Sequence, residues 1–186
     1  MEFDTVVRKR HSVRSFKRKK ADWRDIIEAI DSALQGPFAG NHNNLKFLVV
    51  EDKEKINQIA KACEQLWMSQ AGILVVVCSD DKHLENLYGN RGRVYSRQQA
   101  GAAIQTFLLK CVDLGLSACW VGSYADADIR KIVQAPKEIQ IEAIIPIGYS
   151  TQTAKEKRKH SLERTLYWEN WGNAKRPSWF EESRTE

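Results

Sequence analysis

The chain has 186 residues, 42% of them hydrophobic and 28% charged, with a net charge of +5 and a pI near 9.0. That length suits one domain with a real hydrophobic core, and the balance excludes a largely disordered chain. No charged leader precedes an apolar run, and Ile73 to Cys78 is far too short to cross a bilayer, so a cytoplasmic location without a membrane partner is expected.

The opening stretch Arg8-Lys9-Arg10-His11-Ser12-Val13-Arg14-Ser15-Phe16 follows an apolar, helix-like lead and gathers guanidinium, imidazole and hydroxyl donors. Run extended, it points Arg10, Ser12 and Arg14 one way and turns Val13 to the core. Two guanidinium forks around a hydroxyl match phosphate oxygens. The plainer reading is a solvated basic face continuing to Lys20, against which stands the alternation itself.

Asp22 to Leu34 has helical spacing, with Asp22 as N-cap and Gly36-Pro37 as the stop. Leu45 to Val50 reads as a strand, Lys55 to Met68 as a helix, and Gly72 to Ser79 as a central strand buried on both faces. The polar, Gly-punctuated Asp80 to Arg93 reads as a functional loop or lid. Tyr95 to Leu114 is the longest helix, with Ala100 to Ala103 allowing close backbone approach and Gly115 ending it. Leu116 to Val121 reads as a strand, Asp126 to Val133 as a helix capped by Asp126, and Ile139 to Ile147 as a strand closing on Gly148. Interspersed helices and strands imply an α/β or α+β sandwich.

From Ser161 onward the pattern turns aromatic and charged, with Tyr167, Trp168, Trp171, Trp179 and Phe180 on a segment too poor in aliphatics for its own core. Residues 1–160 thus read as the domain and 161–186 as an arm, packed on a second subunit or folded back on its own. The basic excess lies mostly at residues 8–20 and 155–164, two segments that could converge on one anion.

The four cysteines, Cys63, Cys78, Cys111 and Cys119, form no C-x-x-C pair and sit in apolar surroundings, as expected of buried free thiols in a reducing compartment. Cys119 reads as a packed strand residue, because nothing cationic adjoins it in sequence. Trp120 reads as core in preference to pocket lining, and His42 as an exposed loop residue. His83 and His160 have no metal-ligand spacing, so no metal site is expected.

Several motifs occur in one order: Arg10-His11-Ser12-x-Arg14; Gly36-Pro37-Phe38-Ala39-Gly40-Asn41; Tyr88-Gly89-x-Arg91-Gly92 leading to Tyr95 and Gln98; Ala102-Ala103-Ile104-Gln105; Gly115-Leu116-x-x-Cys119-Trp120-Val121-Gly122; and Ile145-Pro146-Ile147-Gly148-Tyr149. With Lys157-Arg158-Lys159, Leu162-Glu163 and Tyr167-Trp168, this order over residues 2–171 resembles the nitroreductase-like FMN-dependent oxidoreductases.

The resemblance implies a three-layer α+β fold, a mostly antiparallel sheet flanked by helices, in an interlocked homodimer with FMN at the interface. It implies that Arg10, Ser12 and Arg14 hold the phosphate and ribityl chain, that His11 stands where some members touch the flavin, and that Arg158, joined by Lys157 or Lys159, completes the phosphate site. Pro37, Phe38, Ala39, Asn41 and Asn43 match the loop reaching the partner's flavin, Val121 and Gly122 the turn near its reactive nitrogen, and Gln98 a supporting position. Two departures stand out: His42-Asn43-Asn44-Leu45 replaces a common Gln-Pro-aromatic sequence, and Gln99 stands where an acidic residue is common.

The activity implied is ping-pong hydride transfer from NADH or NADPH to nitroaromatics, quinones or a related small-molecule acceptor, with the flavin carrying the chemistry and no catalytic side chain required. No Walker A, G-x-S-x-G, H-E-x-x-H or Rossmann glycine motif is present, so both substrates would share one pocket. Arg91 and Arg93 could steer a nicotinamide phosphate or simply be solvated. Flavin-cleaving and dehalogenating branches are the enzyme alternative. A basic nucleic-acid binder with stacking tryptophans is the other, although no RNA-recognition or helix-turn-helix signature supports it and no nucleic-acid partner is expected.

Overall fold

The protein is described from a computed structural model, in which residues 1–152 and 161–176 are defined. Contacts divide the chain into two units, 1–154 and 155–186.

The first unit is built on four antiparallel strands in the order β1-β2-β4-β3: β1 (Leu45–Val50), β2 (Ile73–Ser79), β3 (Ser117–Ala118) and β4 (Gln140–Gly148). β2 is buried at every position, as its unbroken apolar run predicts. Its side chains divide by parity. Ile73, Val75 and Val77 face a core shared with α2 (Trp23–Ala33) and α5 (Asn90–Asp113), whereas Leu74, Val76 and Cys78 face a second core with α3 (Lys53–Ala62) and α6 (Asp126–Val133). Helices therefore cover both faces of an antiparallel sheet, the three-layer α+β arrangement expected.

α5 is the axis of the unit. Its buried positions, Gly92, Ser96, Gln99, Ala100, Ala103, Ile104, Phe107, Leu108 and Cys111, recur every three or four residues and form one stripe. α1 (Phe3–Lys9) and α2 rest on it, and α4 (Lys82–Tyr88) folds back against its first turns. Residues after α1 run to the sheet edge, where the Val13 amide donates to the Ala118 carbonyl at 3.1 Å and Phe16 bridges Ser150.

The structure corrects four expectations. Residues 80–93 are not a loop: they form α4 and the start of α5, hinged at Gly89 with φ 55°. The glycines that read as breakers serve the corner, since a Cβ on Gly92 would lie 2.3 Å from the Leu84 carbonyl. The helix expected over 55–68 stops at Ala62, where Glu64 takes a positive φ of 54°, and a short 3-10 turn, Leu66–Gln70, follows. The strand expected over 116–121 reduces to Ser117–Ala118 and a single bridge from Val121 to Ile144. Asp126 is the first residue of α6, not its cap; Ala125 holds that position without a side-chain hydrogen bond.

All four cysteines are buried and unpaired. Burial pushes the Cys63 thiol up to about 11, and burial together with Glu142 does the same to Cys78. Cys111 is pushed up to about 12, by burial and then by Asp25. In the second unit the described residues, 161–176, contain the 3-10 turn Leu162–Arg164 and a T-shaped contact between Tyr167 and Trp171 at 5.3 Å. Trp179 and Phe180 lie outside the described residues.

The corner at Gly92 predicts a contrast between two glycines of one helix. Gly92→Ala, which forces α4 off α5, is expected to destabilise the fold by about 2–3 kcal/mol in urea unfolding. Gly101→Ala, where no neighbouring atom lies within 4 Å, is expected to be neutral or stabilising by up to about 1 kcal/mol.

Candidate functional site

Five side chains among the described residues are both polar and buried: Asn44, Ser79, Asp81, Ser96 and Gln99. All belong to one network. Gln99 Oε1 accepts from the Ala39 amide at 3.1 Å, and its Nε2 donates to Asn44 Oδ1 at 2.5 Å and to the His42 carbonyl at 3.2 Å. Asn44 Nδ2 donates to Ser96 Oγ at 2.8 Å and to the Asp80 carbonyl at 3.0 Å. Ser96 donates onward to Asp81 at 2.6 Å. Arg97 closes the chain against Asp81, at 2.6 Å, and Glu142, with Ser79 between them. No buried side-chain polar atom among the described residues is left unpaired, which is the condition under which such a network rigidifies its surroundings. Burial still pushes the Glu142 carboxyl up, against the opposing hydrogen bond of Ser79 and the charge of Arg97.

The network fixes the loop 37–44 over the start of α5. Pro37, Phe38, Ala39 and Gly40 there face Tyr88, Tyr95, Gln98 and Gln99 across a cleft of about 520 Å³. The two tyrosine rings meet edge to face at 5.3 Å, and the Arg91 guanidinium lies 5.3 Å from the Tyr95 ring centroid. Gly40 has φ 56°, the left-handed region that favours glycine, and a Cβ there would fall 2.5 Å from the Tyr88 hydroxyl, which would have to shift. Gln98 is exposed and lines the cleft; Asn41 is exposed; Asn43 spends its side-chain oxygen on the Leu45 amide at 2.9 Å. An aromatic-walled cleft with one amide and one cation at its rim suits a planar ligand. A larger groove, about 840 Å³, lies between α3 and α6 and is lined mostly by Lys, Asp, Glu and Gln, but it holds none of the predicted residues.

A second patch lies at the β3 edge. The pairing of Val13 with Ala118 brings the N-terminal segment alongside Cys119. Cys119 feels the charges of Arg14 and Arg10 and hydrogen-bonds with Ser12; burial raises its thiol pKa and these three neighbours oppose the rise. Cys119 thus does adjoin cations, in space rather than in sequence. His11 points elsewhere: its Nδ1 donates to the Lys9 carbonyl at 2.8 Å, and it lines a small cleft with Val13 and Leu116. Val121 is buried and exchanges two backbone hydrogen bonds with Ile144, which leaves Gly122 exposed just beyond the sheet edge. Trp120 is 39% exposed, so it is not core, and its Nε1 lies 3.9 Å from where a Gly122 Cβ would be. Lys157 and Arg158 lie outside the described residues.

Among the described residues, Arg10, Ser12 and Arg14 thus act on Cys119, while Pro37, Phe38, Ala39 and Gln98 line the cleft beside the 37–44 loop. Of Asn44, Asp81, Ser96 and Gln99 the sequence points only to Asn44 and Gln99, each as part of a departure from the family pattern, and gives no role to Ser96 or Asp81. The available signal was the α5 stripe, in which Ser96 and Gln99 occupy core positions.

With this geometry in hand, comparison with known proteins identifies the lineage. The chain belongs to the Nitroreductase family, whose model matches residues 7–81 and 61–149. It is 25% identical over 160 residues to iodotyrosine deiodinase of Thermotoga neapolitana, covering 77% of this chain and 86% of that one. It is 27% identical over 157 residues to a Methanothermobacter thermautotrophicus protein provisionally named NADH dehydrogenase/NAD(P)H nitroreductase, covering 82% and 79%. Its fold superposes on a nitroreductase family protein of Clostridium difficile 630 with a TM-score of 0.81 at 22% identity, over 91% of this chain and 99% of that one.

Gln99→Leu keeps the side chain's bulk and strips the Ala39 amide and Asn44 of their partner. The expected outcome is a loss of about 1–3 kcal/mol in stability, with faster hydrogen exchange at the Ala39 amide than at β2 amides.

Proposed function

We propose that this member of the Nitroreductase family is a homodimeric FMN-dependent oxidoreductase that takes hydride from NADH or NADPH and passes it, in ping-pong fashion, to nitroaromatics, quinones or related acceptors. What supports this reading is that Arg10, Ser12 and Arg14 all act on the one thiol, Cys119, at the β3 edge. Two guanidinium groups and a hydroxyl make a donor set fitted to a dianionic phosphate, and they need no metal to do so. The residues present therefore fit the flavin's phosphate end.

Arg10, Ser12 and Arg14 would hold the phosphate, joined by Lys157 or Arg158 from the basic segment that follows. Gly122, exposed beyond the Val121–Ile144 bridge, leaves its backbone open to close approach by a ring. Bound FMN would supply the hydride-accepting ring. The chain's own work is to orient that ring, exclude water and seat substrate against it. Phe38, Tyr88 and Tyr95 provide apolar walls for a planar acceptor or a nicotinamide, Gln98 an amide, and Arg91 a cation for a nicotinamide phosphate. The separation of the phosphate patch from the aromatic cleft favours a site made by two subunits, each giving one set.

A second reading within the family is reductive dehalogenation, favoured by the relative named iodotyrosine deiodinase. It uses the same cofactor patch and differs in the acceptor.

The test is the visible spectrum of the purified protein. Expected are a yellow chromophore at about one FMN per chain, anaerobic bleaching by NADH or NADPH, a dimer by light scattering, and at least a ~10-fold weaker hold on FMN in Arg14→Gln. A colourless chain that fails to take up FMN overturns the reading. Reoxidation by iodotyrosine with iodide release, but not by nitroaromatics or quinones, selects the dehalogenating branch.

A further inference from the structure

His42 and His83, on segments 41 residues apart, meet at the surface beside the cleft. Nδ1 of His42 lies 3.2 Å from Nε2 of His83, and the rings stand at 67° with centroids 4.4 Å apart. Both are exposed, and the contact as it stands is an N–H···N hydrogen bond between imidazoles.

The separation of those nitrogens has a second meaning. Two imidazole nitrogens that bind one ion at about 2.0–2.1 Å in tetrahedral geometry are roughly 3.3 Å apart. Small ring rotations, free for exposed side chains, turn both lone pairs toward a common point. The backbones beneath are already held. Gln99 grips the His42 carbonyl, and the His42 amide donates to the Ala39 carbonyl at 3.0 Å. His83 sits in the first turn of α4, which the Gly92 contact and the Glu85–Arg93 ion pair bind to α5. The pair is thus presented by two fixed segments, so little ordering is required when an ion arrives.

We propose that His42 and His83 form a two-imidazole binding site for a borderline divalent metal ion, of the class of Zn²⁺, Ni²⁺ or Cu²⁺. Nitrogen ligands select these ions over Mg²⁺ and Ca²⁺, which prefer oxygen. No group of three His, Cys, Asp or Glu side chains forms a metal cage among the described residues, so water completes the coordination and the ion is exchangeable. The Tyr88 hydroxyl flanks the same spot: a Cβ placed on Gly40 would meet it at 2.5 Å and His42 Cδ2 at 3.2 Å. Each neutral imidazole binds through its unprotonated nitrogen, the bridging proton moving to the far nitrogen of its own ring, so ligation releases no proton and weakens in acid. An ion here ties the 37–44 loop to α4 at the rim of the cleft.

The inference is independent of the flavin reading, because it is tested by metal uptake alone. Tag-free, chelator-washed protein is titrated calorimetrically with Ni²⁺ and Zn²⁺ at neutral pH, and the Cu²⁺ complex is read by electron paramagnetic resonance. Expected are one ion per chain, couplings to two imidazole nitrogens, and at least a ~10-fold loss of affinity in His42→Asn and in His83→Asn, with unchanged circular dichroism. Asp52→Asn, in the α3–α6 groove, is expected to bind as the parent does. Absence of saturable uptake, a Cu²⁺ spectrum with one nitrogen or none, or undiminished affinity in the double histidine variant overturns the proposal.

Discussion

The cleft depends on a line of hydrogen bonds, buried through Gln99, Asn44, Ser96 and Asp81, that begins at the Ala39 amide and ends at Glu142 through the more exposed Arg97. Each member satisfies the next, and the line crosses from a loop to α5, to the end of β2 and to β4. A buried amide or carboxylate without its partner is destabilising by more than a made bond gains. The elements it joins are therefore coupled: a displacement of the 37–44 loop strands Gln99 and Asn44, and a displacement of α4 strands Asp81. Irregular backbone beside a cleft is held here by polar satisfaction, whereas the sheet beneath is held by apolar burial on both faces.

This division of labour explains how one small unit carries two kinds of surface. The N-terminal segment is tied to the sheet edge by main-chain bonds, which bring Arg10, Ser12 and Arg14 within reach of Cys119. The aromatic cleft is tied to α5 by side-chain bonds, and its walls come from both sides of the α4–α5 corner. A ligand with a charged end and a planar end matches the two surfaces in kind.

β1, β2, β4, α2 and α5 were legible because burial on this scaffold follows simple periods. β2 is a continuous apolar run, β4 is one from Ala143 onward, and α2 and α5 carry stripes spaced by three and four. The corner at residues 80–93 was not legible, because its glycines signal a break when taken alone and a close contact only when Leu84 is in place. Cys119 offered no cationic neighbour in sequence; strand-edge pairing supplied three polar ones. The meeting of His42 with His83 depends on that same unforeseen corner. Residues 157 and 158, named from the family resemblance, lie outside the described residues.

The buried thiols carry a consequence for how the chain meets oxidants. A thiol held near 11, as at Cys63 and Cys78, is ionised at neutral pH in only about one molecule in ten thousand, and Cys111 in fewer. Thiolate is the form that peroxides and alkylating agents attack. Oxidants arriving from solvent would meet thiols at Cys63, Cys78 and Cys111 that are almost wholly protonated, so oxidative ageing of this protein should begin at exposed side chains, Met1, Trp23, Trp120 and Trp171, before it reaches these cysteines.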